Sequence, residues 1–204
     1  MREFPFNEEK ARNALIYLLK EFPGVSRVQV MKFFFLVDFY MYSVKETPVF
    51  GGVYVHMDRG PVPVEVKGLL SKLVEDGTVK EVKRKNSLRY YPADDAEVDV
   101  NVFSTEELDV IHKVIGILKS HRTAWNISKF THSLSLWKLT KNGEPIPYEF
   151  ATMSDDEIEE YLNSRRLFQE LAKTLPDIQV EDKVWKDYEV SIPKELQREM
   201  LSLE

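Results

Sequence analysis

Four histidines, His56, His112, His121 and His132, are the side chains of this 204-residue sequence best suited to binding a metal or relaying a proton. No two stand four apart, the spacing that places two ligands on one helix face, and there is no cysteine to complete a set. A zinc site would need ligands gathered from distant segments. The sequence is therefore read without a metal, and no cofactor is assigned. Covalent chemistry has no better footing, because the sequence lacks a nucleophile elbow, a phosphate loop and a glycine-rich dinucleotide fingerprint. The carboxylate pairs Asp155-Asp156 and Glu159-Glu160 fall in the first turns of a predicted helix, where the dipole already favours acids. No catalytic residue is assigned, and the chain is read as one without catalysis of its own.

Cations are the next candidates. The stretch "TVKEVKRKNSLRYYP" reads as two short strands around a Lys85-Asn86-Ser87 turn. Lys80, Lys83, Arg84, Lys85 and Arg89 against Glu81 give this hairpin a charge of +4. Such a hairpin could reach DNA phosphates, and it could equally be a lysine-guarded sheet edge. The helix before it has no Arg, Asn or Gln from Pro63 to Asp76 and a net charge of −1, so it lacks the side chains that read base edges. A DNA-binding regulator using residues 80–89 is thus the alternative reading.

These residues need elements to position them. Asn7 caps a helix with Glu8 and Glu9 in its first turn, ended by Pro23-Gly24. Ser26 and Gln29 form a capping box for a second helix, Arg27 to about Val44, so rich in rings that it must be central and buried. Val66, Leu69, Leu70, Leu73 and Val74 give the third helix its stripe, and the hairpin follows. Two helices, a third helix and a hairpin make the layout of a winged helix, with an insertion of roughly 15 residues before the third helix. Further capping boxes stand at Ser104/Glu107 and Ser154/Glu157. A shorter helix after Thr123 is expected to turn Trp125 and Phe130 inward. A strand around Tyr188 to Ile192 and a helix after Pro193 complete the chain.

In "HMDRGPVPVEV" (56–66), Pro61 and Pro63 hold the residues before them extended, Gly60 permits a turn, and Pro63 suits the first helical position. The stretch is read as a rigid hinge that aims the third helix, with Arg59 as its one reaching polar group and a candidate partner contact.

Charge is unevenly spread. Residues 149–204 hold 15 Asp/Glu and 7 Lys/Arg, a balance of −8 in a chain of −6, which leaves +2 for residues 1–148. This argues against general nucleic-acid affinity and suits a partner with a basic surface. Trp185 and Tyr188, aromatics amid those charges, are candidate partner contacts. The N-terminus has no signal-peptide core, and apolar runs such as Phe33–Val37 are too short to span a membrane. With no cysteine, the cytoplasm is the expected location and no membrane partner is expected. A homo-oligomer is compatible with the sequence.

Four segments occur together in a recognisable order: "MKFFFLVDFYMYSV" (31–44), "GGVYVHMDRGPVPVEVKGLLSKLVEDG" (51–77), "FSTEELDVIHKVI" (103–115) and "HSLSLWKLTKNGEPIPYEFA" (132–151). With them the chain resembles the Panacea domain family, the SocA-like or GepA-like phage-associated proteins. The resemblance implies an antitoxin that neutralises a toxin protein, encoded by an adjacent gene, by binding it. Gly60, Pro61 and Val62 correspond to the family's Gly-Pro-Val segment, and His132 and Trp137 to its His…Trp segment, all read as structural. Where many members carry an aromatic residue, this chain has Arg59. The resemblance supplies no catalytic residues. The expected fold is mainly α with a small β component (α+β). A winged-helix-like part, about 7–92, packs against a helical part, about 103–151, within a domain of residues 1–151. Residues 152–204 form an acidic helix and tail.

Overall fold

The computed structural model of the chain describes residues 3–84 and 87–174. Lys85, Trp185, Tyr188, the strand read near Tyr188 and the helix after Pro193 lie outside the described residues. The fold is mainly helical with a small β component. Contacts divide the chain into two compact units, Met1–Asp155 and Asp156–Glu204.

The first unit begins with α1 (Glu8–Glu21), whose cap is Asn7 accepting the Lys10 amide at 3.0 Å. A two-residue strand, β1 (Val25–Ser26), leads into α2 (Arg27–Lys45). The Ser26/Gln29 capping box is formed. Every residue of α2 from Gln29 to Phe39 is buried, as its run of rings requires. Gln29 also donates from Nε2 to the Arg122 carbonyl at 3.2 Å, so the start of α2 fixes a distant corner.

The insertion that follows is ordered by one carboxylate. Asp38 is fully buried in α2 and accepts the amides of Val49 and Phe50 at 2.8 and 2.7 Å. It also accepts the phenols of Tyr54 and Tyr148 at 2.8 and 3.2 Å. Aromatic packing closes the same region, with Phe39 stacked on Tyr148 at 5.1 Å and edge-on to Tyr54 at 5.2 Å.

Sequence reasoning expects residues 60–63 to be a hinge with Pro63 at the first helical position; the structure corrects this. Strands β2 (Tyr54–Met57) and β3 (Gly60–Pro63) form an antiparallel ribbon with Asp58 and Arg59 at its tip, and Pro63 is its last residue, extended at φ −71° and ψ 123°. Prolines usually argue against a strand because they cannot donate to a ladder. Here Pro61 and Pro63 face His56 and Tyr54 on the inward side. The ladder can therefore run through the alternate pairs Val55–Val62 and Met57–Gly60, and the Val64 amide continues it to the Val53 carbonyl at 2.9 Å. On its other edge β2 meets residues 143–146, with the His56 amide on the Glu144 carbonyl at 2.9 Å.

Next come α3 (Val64–Glu75), which buries Val66, Leu69, Leu70 and Leu73, and the hairpin of β4 (Val79–Arg84) and β5 (Ser87–Pro92). Together with β1 the hairpin makes a three-stranded sheet in the order β1-β5-β4. Helix α4 (Thr105–His121) has the expected Ser104/Glu107 capping box, and Glu107 also binds Lys10 of α1 at 2.6 and 2.8 Å. Short helices α5 (Ala124–His132) and α6 (Ser135–Lys138) follow. The second unit begins within α7 (Asp155–Thr174), which starts one residue after Ser154. Among the described residues, no helix is long and apolar enough to cross a membrane.

Candidate functional site

Lys32 lies in the buried half of α2, 1% exposed, between Met31 and Phe33. A lysine there must find an acceptor or lose its charge. It does some of both. Nζ donates to the Pro61 carbonyl at 2.8 Å, an oxygen that the ribbon ladder leaves unused, and burial brings the amine down to about 7.

Gly60 sits directly over this amine. Its φ of +97° is a left-handed conformation that side chains resist, and an added Cβ would collide with Lys32 Nζ and press on His132 Cδ2. Both requirements select glycine at the turn out of the Asp58-Arg59 tip.

His132 ends α5 and lies flat on the Trp137 indole, with ring centroids 3.8 Å apart and planes 1° from parallel. His56, from the inward face of β2, stacks on the same indole at 4.5 Å and 18°. Thr140 donates to the Leu136 carbonyl at 3.0 Å, which leaves its oxygen to accept His56 Nδ1 at 2.9 Å. Both imidazoles are held below their usual range, chiefly by burial. For His56 the neighbouring His132 adds to this, and for His132 the Lys32 amine does; the nearby Arg59 backbone pulls His132 the other way. Nε2 of His132 and Nε1 of Trp137 are buried without a hydrogen-bond partner. The two-residue tip is thus tied from below: its Arg59 carbonyl takes the Ser128 hydroxyl of α5 at 3.3 Å, and Gly60 beside it rests on Lys32. Chemically, the arrangement is a rigid mount in which burial disfavours the charged forms of Lys32, His56 and His132. The Asp58 and Arg59 side chains it carries are exposed.

Gly60, Pro61, His132 and Trp137, singled out separately in the sequence, are therefore brought together. Val62 faces the other side of the ribbon and is half-buried. The remaining histidines stand elsewhere, His112 on the Tyr17 hydroxyl at 2.7 Å and His121 against Phe130. Among the described residues, no group of three or more His, Cys, Asp or Glu could hold a metal. The hairpin cations are partly spoken for. Lys80 pairs with Asp94 at 2.8 Å and Arg89 donates to the Gly24 carbonyl at 3.3 Å, while Lys83 and Arg84 are exposed.

Trp125 requires a correction. The sequence reading turns it inward, yet it is 76% exposed. The buried positions of α5 are Ile127 and Thr131, one turn apart, and Trp125 lies two residues from Ile127, on the opposite face of the helix. Lys32 and Asp38 are residues that sequence reasoning missed. Their signal is a lone cation and a lone acid bracketing the apolar run Phe33–Val37 in a helix otherwise too apolar to leave them outside.

A family described as antitoxin SocA-like, Panacea domain, matches residues 30–138, more than half of the chain. No curated protein and no solved structure matches it.

Proposed function

The chain belongs to the SocA-like antitoxin Panacea domain family, and from that premise we propose that it binds a cognate toxin protein directly and neutralises it with no chemistry of its own. The observation that carries this reading is the extent of the match. Residues 30–138 include Lys32, His56, Gly60, Pro61, His132 and Trp137, so the matched segment is the one that builds the mount and carries Arg59 at its tip. A rigid, outward-held loop suits recognition, because little conformational freedom is lost on binding. Lys32 and Asp38, both pushed toward their neutral forms by burial, are sealed into structural hydrogen bonds, which fits a scaffold better than a reaction centre.

In this reading the toxin is the product of an adjacent gene, both proteins act in the cytoplasm, and inhibition is by occlusion or by a shift in the toxin's conformation. The test is co-expression. The neighbouring gene expressed alone should arrest growth, and this chain should restore it. An innocuous neighbour, or failure to restore growth, removes the reading's support.

A further inference from the structure

We infer that the exposed face of α5, centred on Trp125 with Lys129, Arg122 and the adjacent Arg59, is a docking surface for an acidic face of the toxin that offers a recess for the indole. This rests on the toxin-binding reading above and assigns it a place and a chemistry.

The first observation is charge. The chain is acidic overall at −6, yet between Asp109 and Glu144 there is no Asp or Glu and there are six cations, Lys113, Lys119, Arg122, Lys129, Lys138 and Lys141. Two are engaged within the fold, Lys113 over the Tyr40 ring at 5.6 Å and Lys119 with Glu21 at 3.1 Å. Arg122, Lys129 and Arg59 are exposed and, among the described residues, make no ion pair.

The second observation is the anchor. Trp125 is the most exposed of the large apolar side chains described. Lys129 follows it by four residues on the same helix face. Ser128, also on that side, binds the Arg59 carbonyl at 3.3 Å, so the α5 face and the ribbon tip are fastened edge to edge. Arg122 stands at the corner before α5 with a φ of +46°, a conformation that costs a non-glycine residue, and its carbonyl is held there by Gln29 at 3.2 Å. An exposed indole among arginines is the composition of binding hot spots.

Charge complementarity sets the occupant. Arg122, Lys129 and Arg59 around the apolar anchor, even with the exposed Lys138 and Lys141 added and Asp58 beside Arg59 left aside, fall short of the phosphate contacts by which nucleic acids are held without sequence readout, roughly six to ten. They suit an acidic rim around an apolar recess on a protein.

The test uses the full chain and the purified product of the adjacent gene. Trp125→Ala should weaken the complex by about thirtyfold or more, with Trp125→Phe recovering part of the loss. Arg122→Glu with Lys129→Glu should slow association, more so at low salt than at high salt. Thermal unfolding of these variants should match the wild type, since the side chains are exposed. Tight binding that survives all three changes would overturn the surface and leave the toxin-binding reading standing. Absence of binding by the wild type would overturn that reading and the surface with it. A salt-sensitive shift of a duplex oligonucleotide, lost in the same variants while the protein complex persists, would overturn the assignment to a protein.

Discussion

The ammonium group of Lys32, from the middle of the most buried helix, donates at 2.8 Å to the carbonyl of Pro61 in the inserted ribbon. That bond couples two features that look unrelated along the chain, a cation beside an apolar run and a proline-rich turn. It explains why the residue above it is glycine, and it supplies a partner for a carbonyl that the ribbon ladder leaves unused.

Gly60→Ala tests the fit directly. The substitution adds a Cβ in the left-handed region and drives it into Lys32 Nζ. Each effect alone costs on the order of 1–2 kcal/mol, so a loss of about 2–4 kcal/mol is expected by denaturant unfolding. A stability within about 0.5 kcal/mol of wild type would show that the tip does not rest on Lys32.

Arg59→Ala should behave in the opposite way. Its side chain is exposed at the ribbon tip, so stability should change by less than about 0.5 kcal/mol. Toxin binding should nevertheless weaken by about tenfold, as read by titration calorimetry. The contrast between neighbours 59 and 60 separates presentation of the loop from recognition by it.

The pH dependence of stability follows from two buried groups. Lys32 is held near 7 against an ordinary 10.5, so between those values the unfolded chain binds the extra proton. Stability from this group is complete above 10.5 and is lost as pH falls toward 7. Asp38 is held near 7 against an ordinary 3.8, because desolvation outweighs its four hydrogen bonds. There the folded chain binds the extra proton, and stability falls as pH climbs from about 4 to about 7. Together the two groups place a trough near neutral pH. Urea unfolding of Lys32→Met should lose the rise on the alkaline side and keep the acid side; an unchanged alkaline limb would contradict the assignment.

Asp38→Ala removes the acceptor shared by Val49, Phe50, Tyr54 and Tyr148. Three buried donors are then stranded, while the Tyr148 hydroxyl keeps the Gly52 carbonyl at 3.3 Å, and a loss of about 3–5 kcal/mol is expected. Hydrogen exchange should show the amides of Val49 and Phe50 losing protection well before those of α1.

Lys83→Glu with Arg84→Glu addresses the hairpin. Both side chains are exposed in β4, so the pair should leave stability and growth rescue unchanged. Loss of rescue, or of a salt-sensitive DNA shift by the wild type, would return the hairpin to the centre of the function.

Local chemistry made much of the frame legible. Asn7, Ser26 and Ser104 cap the helices they were expected to cap, because capping is decided within a few residues. The burial of α2 followed from its rings. What could not be read was non-local. Pro61 and Pro63 hide a strand because their tolerance depends on which pairs of the ladder bear hydrogen bonds, a matter of register. The outward face of Trp125 is illegible because a nine-residue helix carries too few apolar positions to fix its phase, and Ile127 with Thr131 sets it instead. The stack of His56, Trp137 and His132 joins residues 56, 132 and 137 through packing that no spacing announces.

Neutralisation by direct binding is tested by titrating the purified toxin's activity against the purified chain. Inhibition should be complete at a fixed stoichiometric ratio, the two proteins should elute as one complex, and released toxin should regain its activity. Inhibition by a small fraction of an equivalent, or a toxin left altered once the chain is removed, would mean that the chain acts as a catalyst and would contradict it.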